Sequence, residues 1–316
     1  MLKTSLLAIA VLIVAVGCQP AQSKPSPTAS PAPPSATANP NIPATQALPT
    51  LDPGLPTWTM VGPASPPAAI QITQTVDVPY TGKQLLDVYA PATAGNWPLV
   101  IVFHGGDNTK KTVSRLAQAI AERGAVVFVP TYYAHEYTLS TPIARSYEEA
   151  ACAVRFARTH VAEYGGHADR VIVVGHSFGG TVGALLMLAG DEFHGADCLT
   201  QEGSSLPDAF VGLDSPYDLI AVGLIDPAVL QAKPAELLMV NPFTYIGRTP
   251  RREDISFLLF VGPTYTVVRP DNQAFRDALQ AAGHDVRLFY LSGVNHHQFG
   301  MPQPATLDAI ASLLLP

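Results

Sequence analysis

The sequence around Ser177 has the residue types and the spacing of an activated serine nucleophile. Residues 175–179 read Gly-His-Ser-Phe-Gly, directly after the apolar run Val171–Val174 and before a segment of small residues typical of a helix. Between a strand and a helix, this G-x-S-x-G pattern places the serine on a sharp turn with its hydroxyl exposed. The backbone N–H of Phe178 would point to where an oxyanion develops. The pattern therefore predicts acyl-transfer chemistry at Ser177, with a structural serine in a glycine-rich turn as the alternative.

The same stretch carries a resemblance to a known family. Residues 173–180 (VVGHSFGG), preceded by ARTHVAEYGGHADR, resemble the α/β-hydrolase fold, and in particular the carboxylesterase branch with feruloyl esterases, acetyl esterases and kynurenine formamidase-like enzymes. The resemblance extends from about Gln71 to the C-terminus. It implies a mostly parallel central sheet with helices on both faces, and the order nucleophile, acid and histidine along the chain.

An oxyanion hole is expected beside the nucleophile. The apolar run Leu99–Phe103 ends in His-Gly-Gly, and the esterases that this chain resembles carry an HGG motif at this place. Glycine allows the main chain to approach the substrate closely. The resemblance therefore implies that the backbone N–H groups of Gly105, Gly106 and Phe178 hold the oxyanion.

The serine also needs a base within hydrogen-bond reach. In the resembled family the base follows the last strand in a G-x-x-H arrangement, which selects His296 through Gly293. The adjacent His297 is the alternative. A vicinal histidine pair would also suit a metal ion, but no carboxylate or further histidine lies at ligand spacing. We therefore expect neither a metal nor a cofactor.

The third member of the triad is missing from its usual place. In the relatives, the loop after the seventh strand reads G-x-x-D-x-x-V, and alignment on Gly262 and Val268 puts Tyr265 at the aspartate. Tyrosine carries no charge at neutral pH. Asp214 directly follows the preceding apolar run, and adjacent strands lie about 4.8 Å apart, which keeps His296 within reach. We therefore expect Asp214 to be the acid.

Two other carboxylates are alternatives to Asp214. Asp218 belongs to a Tyr-Asp-Leu tract that is common in the relatives, and a structural role is its simpler interpretation. Asp271 is expected to cap a helix that begins at Asn272. The sequence also allows that no acid is functional.

Strand and helix patterns along residues 68–316 predict how these side chains are positioned. Apolar runs, typical of buried parallel strands, occur at Leu99–Phe103, Ala125–Val129, Val171–Val174, Ala209–Leu213 and Phe257–Val261. Two alternating runs precede them and one strand, Val286–Leu291, follows. Helical patterns lie between them at Thr112–Arg123, Tyr147–Tyr164, Thr181–Ala189, Asn272–Ala282 and Thr306–Leu315. This order predicts an α/β fold with its ligand site at the carboxyl ends of the strands.

The first 67 residues predict export rather than folding. Residues 1–17 have the layout of a signal peptide, and Ala-Val-Gly-Cys at 15–18 resembles a lipobox in which Cys18 is lipid-modified. An ordinary signal peptide or an uncleaved anchor is the alternative. Residues 18–67 are a Pro/Ala/Ser-rich stretch that predicts a disordered linker. We expect a lipoprotein on the outer side of the cytoplasmic membrane or at the cell surface, attached to the membrane only through Cys18.

The charge of the chain limits the classes of expected partner, and its cysteines bear on the compartment. The net charge is −7 and no basic cluster is present, so nucleic acid is not an expected partner. Apart from Cys18, the cysteines are Cys152 and Cys198. In an oxidising compartment we expect them to pair, with two buried thiols as the alternative.

Taken together, these residues predict an extracytoplasmic serine esterase. The expected substrates are small-molecule esters, either short-chain esters or esters of carbohydrate or aryl groups, while amide and lactone hydrolysis would use the same groups. The segment Asp218–Glu253 is expected to contribute to a lid or acyl pocket. The alternative from another class is a non-catalytic binding protein that keeps the hydrolase fold, which the tyrosine at position 265 would favour.

Overall fold

The computed structural model describes residues 70–314, apart from residues 94, 136, 249–255 and 265. The predicted signal peptide, the lipidation site Cys18 and the predicted linker lie outside the described residues. The same holds for Tyr265.

An eight-stranded sheet forms the centre of the domain. Its strands are β1 (Ile72–Pro79), β2 (Leu85–Pro91), β3 (Trp97–Phe103), β4 (Val126–Pro130), β5 (Gly166–His176), β6 (Ala209–Leu213), β7 (Ser256–Val261) and β8 (Asp285–Tyr290). Their spatial order is β1-β2-β4-β3-β5-β6-β7-β8. The pairs β1–β2 and β2–β4 are antiparallel, and all pairs from β4–β3 to β7–β8 are parallel. The predicted fold class is confirmed.

Helices cover both faces of this sheet. They are α1 (Ser114–Ala121), α2 (Arg145–His160), α3 (Phe178–Ala189), α4 (Pro227–Ala232), α5 (Pro234–Met239), α6 (Val268–Ala281), α7 (His296–Phe299) and α8 (Pro304–Leu314). No helix within the described part of the chain is long and apolar enough to cross a membrane.

The apolar core has two layers, one on each face of the sheet. Along β3, Leu99, Ile101 and Phe103 pack in the layer that contains α2, α3 and α6, whereas Val100 and Val102 pack in the layer that contains α1 and α8. Successive side chains of a strand point to opposite faces. A strand with a helix layer on each side must therefore be apolar throughout, which explains the continuous runs in the sequence.

The start of α6 differs from the prediction. The helix begins at Val268, four positions before the predicted start, so that Asp271 lies inside its first turn rather than at its cap. Pro270 is tolerated in this first turn because the first N–H groups of a helix have no intrahelical acceptor.

Cys152 of α2 is joined to Cys198 by a disulfide, with 5.3 Å between their Cα atoms. The two residues are 46 positions apart in the sequence. The bond ties α2 to the chain that follows α3, on the layer of the core remote from α1 and α8.

Candidate active site

Ser177 lies on the turn between β5 and α3. Its backbone has φ +55° and ψ −126°, a sparsely populated conformation that costs a non-glycine residue about 1–3 kcal/mol. Two hydrogen bonds hold the turn: Ser177 N–H donates to the carbonyl of Leu213 over 3.0 Å, and Gly180 N–H donates to the carbonyl of Ser177 over 2.8 Å. The turn is thus fixed against β6, and Ser177 lines a cavity at the carboxyl ends of the strands.

Glycines allow the nucleophile turn and the turn after β3 to touch. A Cβ atom on Gly179 would collide with the carbonyl oxygens of Phe103 and His104. A Cβ atom on Gly105 would lie 3.1 Å from Cβ of Ser177. The main chain of the predicted oxyanion turn therefore lies directly beside the serine.

His296 and Asp214 complete a hydrogen-bonded chain with Ser177. Nε2 of His296 lies 3.0 Å from Oγ of Ser177, and Nδ1 of His296 lies 2.7 Å from Oδ2 of Asp214. His296 is 9% exposed and Asp214 is 0% exposed. A carboxylate at Nδ1 keeps the proton on that nitrogen, so Nε2 presents its lone pair to the serine hydroxyl.

The carboxylate of Asp214 is held by the neighbouring strand. Asp214 has φ +49°, its N–H donates to the carbonyl of Phe260 over 2.7 Å, and its Oδ1 accepts from the N–H of Gly262 over 2.9 Å. The loop after β7, where the sequence resemblance implied a catalytic aspartate, thus donates a hydrogen bond to a carboxylate on the loop after β6.

The other candidate residues have different surroundings. Asp218 accepts hydrogen bonds from the N–H groups of Ile220 and Ala221. Asp271 accepts from the N–H groups of the loop after β6. His297 is exposed and lines the cavity. Of the predicted candidates, His296 and Asp214 are the two that the structure joins to each other and to the serine.

The residues expected to form the oxyanion hole lie at the cavity beside Ser177. Phe178 is the first residue of α3, so its N–H has no acceptor within the helix. A Cβ atom on Gly105 would lie 3.5 Å from Oγ of Ser177, and Gly106 and Phe178 both line the cavity. The hydroxyl of Tyr132 donates to the carbonyl of His104 over 2.7 Å, which holds the glycine turn in place.

His176, between the glycine and the serine of the motif, joins the nucleophile turn to the histidine loop. Its Nε2–H donates to the carbonyl oxygen of His296 over 2.8 Å. Burial, and then the nearby His296, lower the pKa of His176 to about 4. His176 is therefore neutral near pH 7 and adds no second positive charge when His296 becomes protonated.

The cavity in front of Ser177 has a volume of about 380 Å³, in the range of small-molecule sites. Its apolar wall is formed by Pro216, Leu219, Leu224, Ile225 and Val268. Three of these residues belong to the segment after β6 that was expected to contribute to a pocket.

A second part of the cavity lining is more polar and was not predicted. It includes Asp107, Asn108, His135 and Tyr137, and Nδ1 of His135 lies 2.9 Å from Oδ1 of Asp107. His135 and Tyr137 follow β4, whose carboxyl end lies at the same edge of the sheet as that of β5. Because ligand sites of parallel sheets lie at this edge, the position of these two residues after a predicted strand could have indicated that they line the site. Within the described residues, no group of three or more His, Cys, Asp or Glu side chains is arranged to hold a metal ion.

Sequence comparison relates the chain to esterases. The model of the BD-FAE family matches residues 86–273. The probable isoprenylcysteine alpha-carbonyl methylesterase ICMEL1 of Oryza sativa subsp. japonica is 27% identical over 254 residues, which cover 74% of this chain and 59% of that protein. Carboxylesterase NlhH of Mycobacterium tuberculosis is 26% identical over 242 residues, 70% of this chain and 73% of that protein. The chain thus spans about three fifths of the rice protein.

Structure comparison gives the same fold. A truncated carbohydrate esterase from gut microbiota has a TM-score of 0.66 at 17% identity, over 80% of this chain and 99% of that chain. The propionate-bound esterase Est2 of Thermogutta terrifontis has a TM-score of 0.59 at 21% identity, over 78% of this chain and 92% of that chain. These similarities confirm the α/β-hydrolase fold that the sequence resemblance implied.

Proposed function

The chain belongs to the BD-FAE family, and from this premise we propose that it is a serine esterase that cleaves carboxylic esters through an acyl-enzyme on Ser177. The observation that carries the proposal is the hydrogen-bonded chain from Oγ of Ser177 through His296 to Asp214, with distances of 3.0 and 2.7 Å. This is the arrangement by which a serine hydroxyl is activated as a nucleophile.

In the first half of the reaction, Oγ of Ser177 attacks the ester carbonyl carbon. The hydroxyl proton moves to Nε2 of His296, and the carbonyl π electrons become a negative charge on the oxygen. The carbon–oxygen bond to the alcohol then breaks, and His296 gives its proton to the leaving alkoxide. Asp214, buried and hydrogen-bonded to Nδ1, stabilises the imidazolium that exists between these two proton transfers.

The oxyanion is held by main-chain N–H groups in this proposal. Phe178 supplies one donor at the start of α3, and the Gly105-Gly106 turn supplies the other. Removal of a single oxyanion donor typically costs about 10²–10³ in kcat. The positive end of the α3 dipole adds to the stabilisation of the charge.

Water completes the cycle. His296 takes a proton from a water molecule, the resulting hydroxide attacks the acyl carbonyl, and the bond to Oγ of Ser177 breaks as His296 returns the proton to the serine. The products are a carboxylic acid and the free enzyme. Apart from the ester and this water molecule, the proposed steps use groups of the chain itself.

The rival proposal, a binding protein without catalysis, loses its main support. It rested on Tyr265 at the usual position of the acid. The acid role is filled instead by Asp214, whose two oxygens contact His296 and the N–H of Gly262. Burial of a carboxylate is costly unless hydrogen bonds compensate for the lost water, and the contact of Asp214 with a histidine beside a serine favours the catalytic interpretation.

The cavity supports small-molecule esters as substrates. One wall is apolar and suits an acyl or aryl group, while Asp107, Asn108 and His135 on the other wall offer hydrogen bonds to a hydroxylated group. We therefore propose short-chain esters, or esters that join an acyl group to a carbohydrate or aryl alcohol.

The location of the protein is proposed from the sequence of its first residues. We propose export and lipid attachment at Cys18, and the disulfide between Cys152 and Cys198 supports an oxidising compartment. Radiolabelled palmitate incorporation into the expressed full chain, compared with Cys18→Ser, tests this. Label in both forms or in neither would contradict the anchor.

A fluorophosphonate probe tests the catalytic proposal directly. The probe should modify Ser177 in the folded wild type, and p-nitrophenyl acetate should be hydrolysed. Ser177→Ala should lose the label and the hydrolysis, with an unchanged melting temperature. Folded wild-type protein that neither reacts with the probe nor hydrolyses esters would refute the proposal.

A further inference from the structure

Asp271 is a buried carboxylate that the proposed reaction does not use. It lies in the first turn of α6 and is 8% exposed. Its two oxygens accept hydrogen bonds from two successive main-chain N–H groups, Oδ2 from Tyr217 over 2.6 Å and Oδ1 from Asp218 over 3.0 Å. These amides belong to the loop that carries Asp214, three and four positions beyond it.

The loop from Asp214 to Asp218 is held at each of its positions. Asp214 is bonded to the chain of β7 through Phe260 and Gly262. The carbonyl of Ser215 accepts from Nδ2 of Asn272 over 2.7 Å, and the carbonyl of Pro216 accepts from the hydroxyl of Thr181. Asp271 supplies the remaining bonds. Two side chains of α6, Asp271 and Asn272, thus supply three of the bonds that hold the acid loop.

Asp214 needs such support because of its backbone. Its φ of +49° is a conformation that a non-glycine residue seldom adopts unless its surroundings impose it. The turn directs its carboxylate toward His296, and a free loop would relax away from it. Tyr217, whose N–H donates to Asp271, is buried. Its ring stacks on that of Phe275 of α6, with ring centroids 4.1 Å apart.

The ionised carboxylate of Asp271 does not stabilise the fold near neutral pH. Burial raises the pKa of Asp271 to about 6, the two backbone hydrogen bonds act in the opposite direction, and the nearby charge of Asp218 adds a smaller rise. A carboxyl group with a raised pKa in the folded state lowers the stability of that state near neutral pH. At pH 7 it is nevertheless ionised, and only a carboxylate offers two acceptors to two adjacent N–H groups.

We propose that Asp271 is a positioning residue for catalysis: it holds the loop after β6 in the bend that keeps Asp214 against Nδ1 of His296. The proposal rests on the proposed esterase function, because it assigns Asp214 as the acid. In this chain the acid is placed on the loop after β6, and the helix that follows the usual acid loop keeps it in place.

The test compares Asp271→Asn with a matched control on the same helix. Asp277→Asn removes a carboxylate whose side chain is 62% exposed and that pairs with Arg276. Asp271→Asn should lower kcat for p-nitrophenyl acetate by about 100-fold with KM within about twofold, since a displaced catalytic group affects the chemical step more than binding. Asp277→Asn should match the wild type.

A double-mutant cycle separates positioning from a general structural effect. If Asp271 acts through Asp214, then Asp271→Asn should have no further effect on kcat in an Asp214→Asn background. The downfield proton NMR signal of the hydrogen-bonded Nδ1–H of His296 should be present in the wild type and in Asp277→Asn, and lost or broadened in Asp271→Asn. This readout does not depend on turnover.

The proposal is overturned if Asp271→Asn keeps the wild-type kcat and NMR signal, or if it lowers kcat by the same factor in both backgrounds. Should Asp271→Asn not fold, Asp271→Glu retains the charge but moves it by one methylene group, and the same dependence on Asp214 decides the outcome. Failure of the esterase function looks different: the wild type itself would neither react with the fluorophosphonate probe nor turn over, whatever the NMR signal of the variants.

Discussion

Replacement of Asp214 by asparagine provides the sharpest test of the catalytic arrangement, because the side chain keeps its size, loses the charge and exchanges one acceptor oxygen for an NH₂ donor. Asp214 is 0% exposed, and its two oxygens accept from different donors: Nδ1–H of His296 over 2.7 Å and N–H of Gly262 over 2.9 Å. An asparagine has a single oxygen and can satisfy only one of them.

Both orientations of the asparagine harm the site. With its oxygen toward Gly262, its NH₂ group faces Nδ1 of His296, which must then accept. The imidazole proton moves to Nε2, and Ser177 loses its base. With its oxygen toward His296, the NH₂ group meets the N–H of Gly262, which leaves a buried donor unpaired at a cost of about 1–3 kcal/mol.

The expected loss follows from the first orientation. An Asp-to-Asn change that imposes the wrong tautomer lowers kcat by about 10⁴ in serine-protease triads, which corresponds to about 5.5 kcal/mol in the activation free energy. We expect Asp214→Asn to lower kcat for p-nitrophenyl acetate by about 10³–10⁴, since some molecules populate the second orientation.

Pre-steady-state kinetics measure this loss directly. The release of p-nitrophenol in the first turnover reports acylation, and the rate of fluorophosphonate labelling reports the nucleophilicity of Ser177 without turnover. Asp218→Asn, which keeps the oxygen that accepts from Ile220 and Ala221, serves as the comparison. If Asp214→Asn acylates at the wild-type rate, or if Asp218→Asn shows the larger loss, the assignment of the acid is wrong.

Three further outcomes follow from the geometry. Gly105→Ala should lower kcat by about 10²-fold, because the added Cβ would lie 3.1 Å from Cβ of Ser177; steady-state kinetics with circular dichroism separate this loss from unfolding. Replacing Cys152 and Cys198 by serine should lower the free energy of unfolding by about 4 kcal/mol for the 46-residue separation, measured by urea denaturation of the double variant. Because the pKa of Asp271 rises from its ordinary 3.8 to about 6 on folding, its contribution to stability is present below pH 3.8 and is lost as pH rises to about 6. The melting temperature of the wild type minus that of Asp271→Asn should therefore fall across this window and level off above it. A difference independent of pH would contradict the assignment.

The order of strands and helices could be predicted from the sequence, since the pattern of apolar residues in each segment depends on which of its faces are buried. The continuous apolar run at Leu99–Phe103 reflects a strand covered on both faces. Ser177 could be singled out because the glycines, the strand and the helix that shape its turn lie within a few positions of it. Interactions between residues close in sequence can be predicted from that short stretch of sequence.

Asp271 marks the limit of such reasoning. Its position beside Asn272 suggested a helix cap, because the nearest partners in the sequence are the N–H groups of the following residues. Its actual partners are the N–H groups of Tyr217 and Asp218, 54 and 53 positions away. A carboxylate that contacts a distant loop has no signature in its own neighbourhood.

By itself, the sequence determined the class of fold, and it predicted a nucleophile and a short set of residues for the other roles. The tertiary structure decided which of them meet: His296 lies 119 positions from Ser177 and 82 from Asp214, yet hydrogen bonds join all three. That choice depends on the lateral order of β5, β6 and β7, on the left-handed backbone at Asp214 and on the N–H of Gly262 beside it. Distances across a sheet are set by which strands pair, and no spacing along the chain records them.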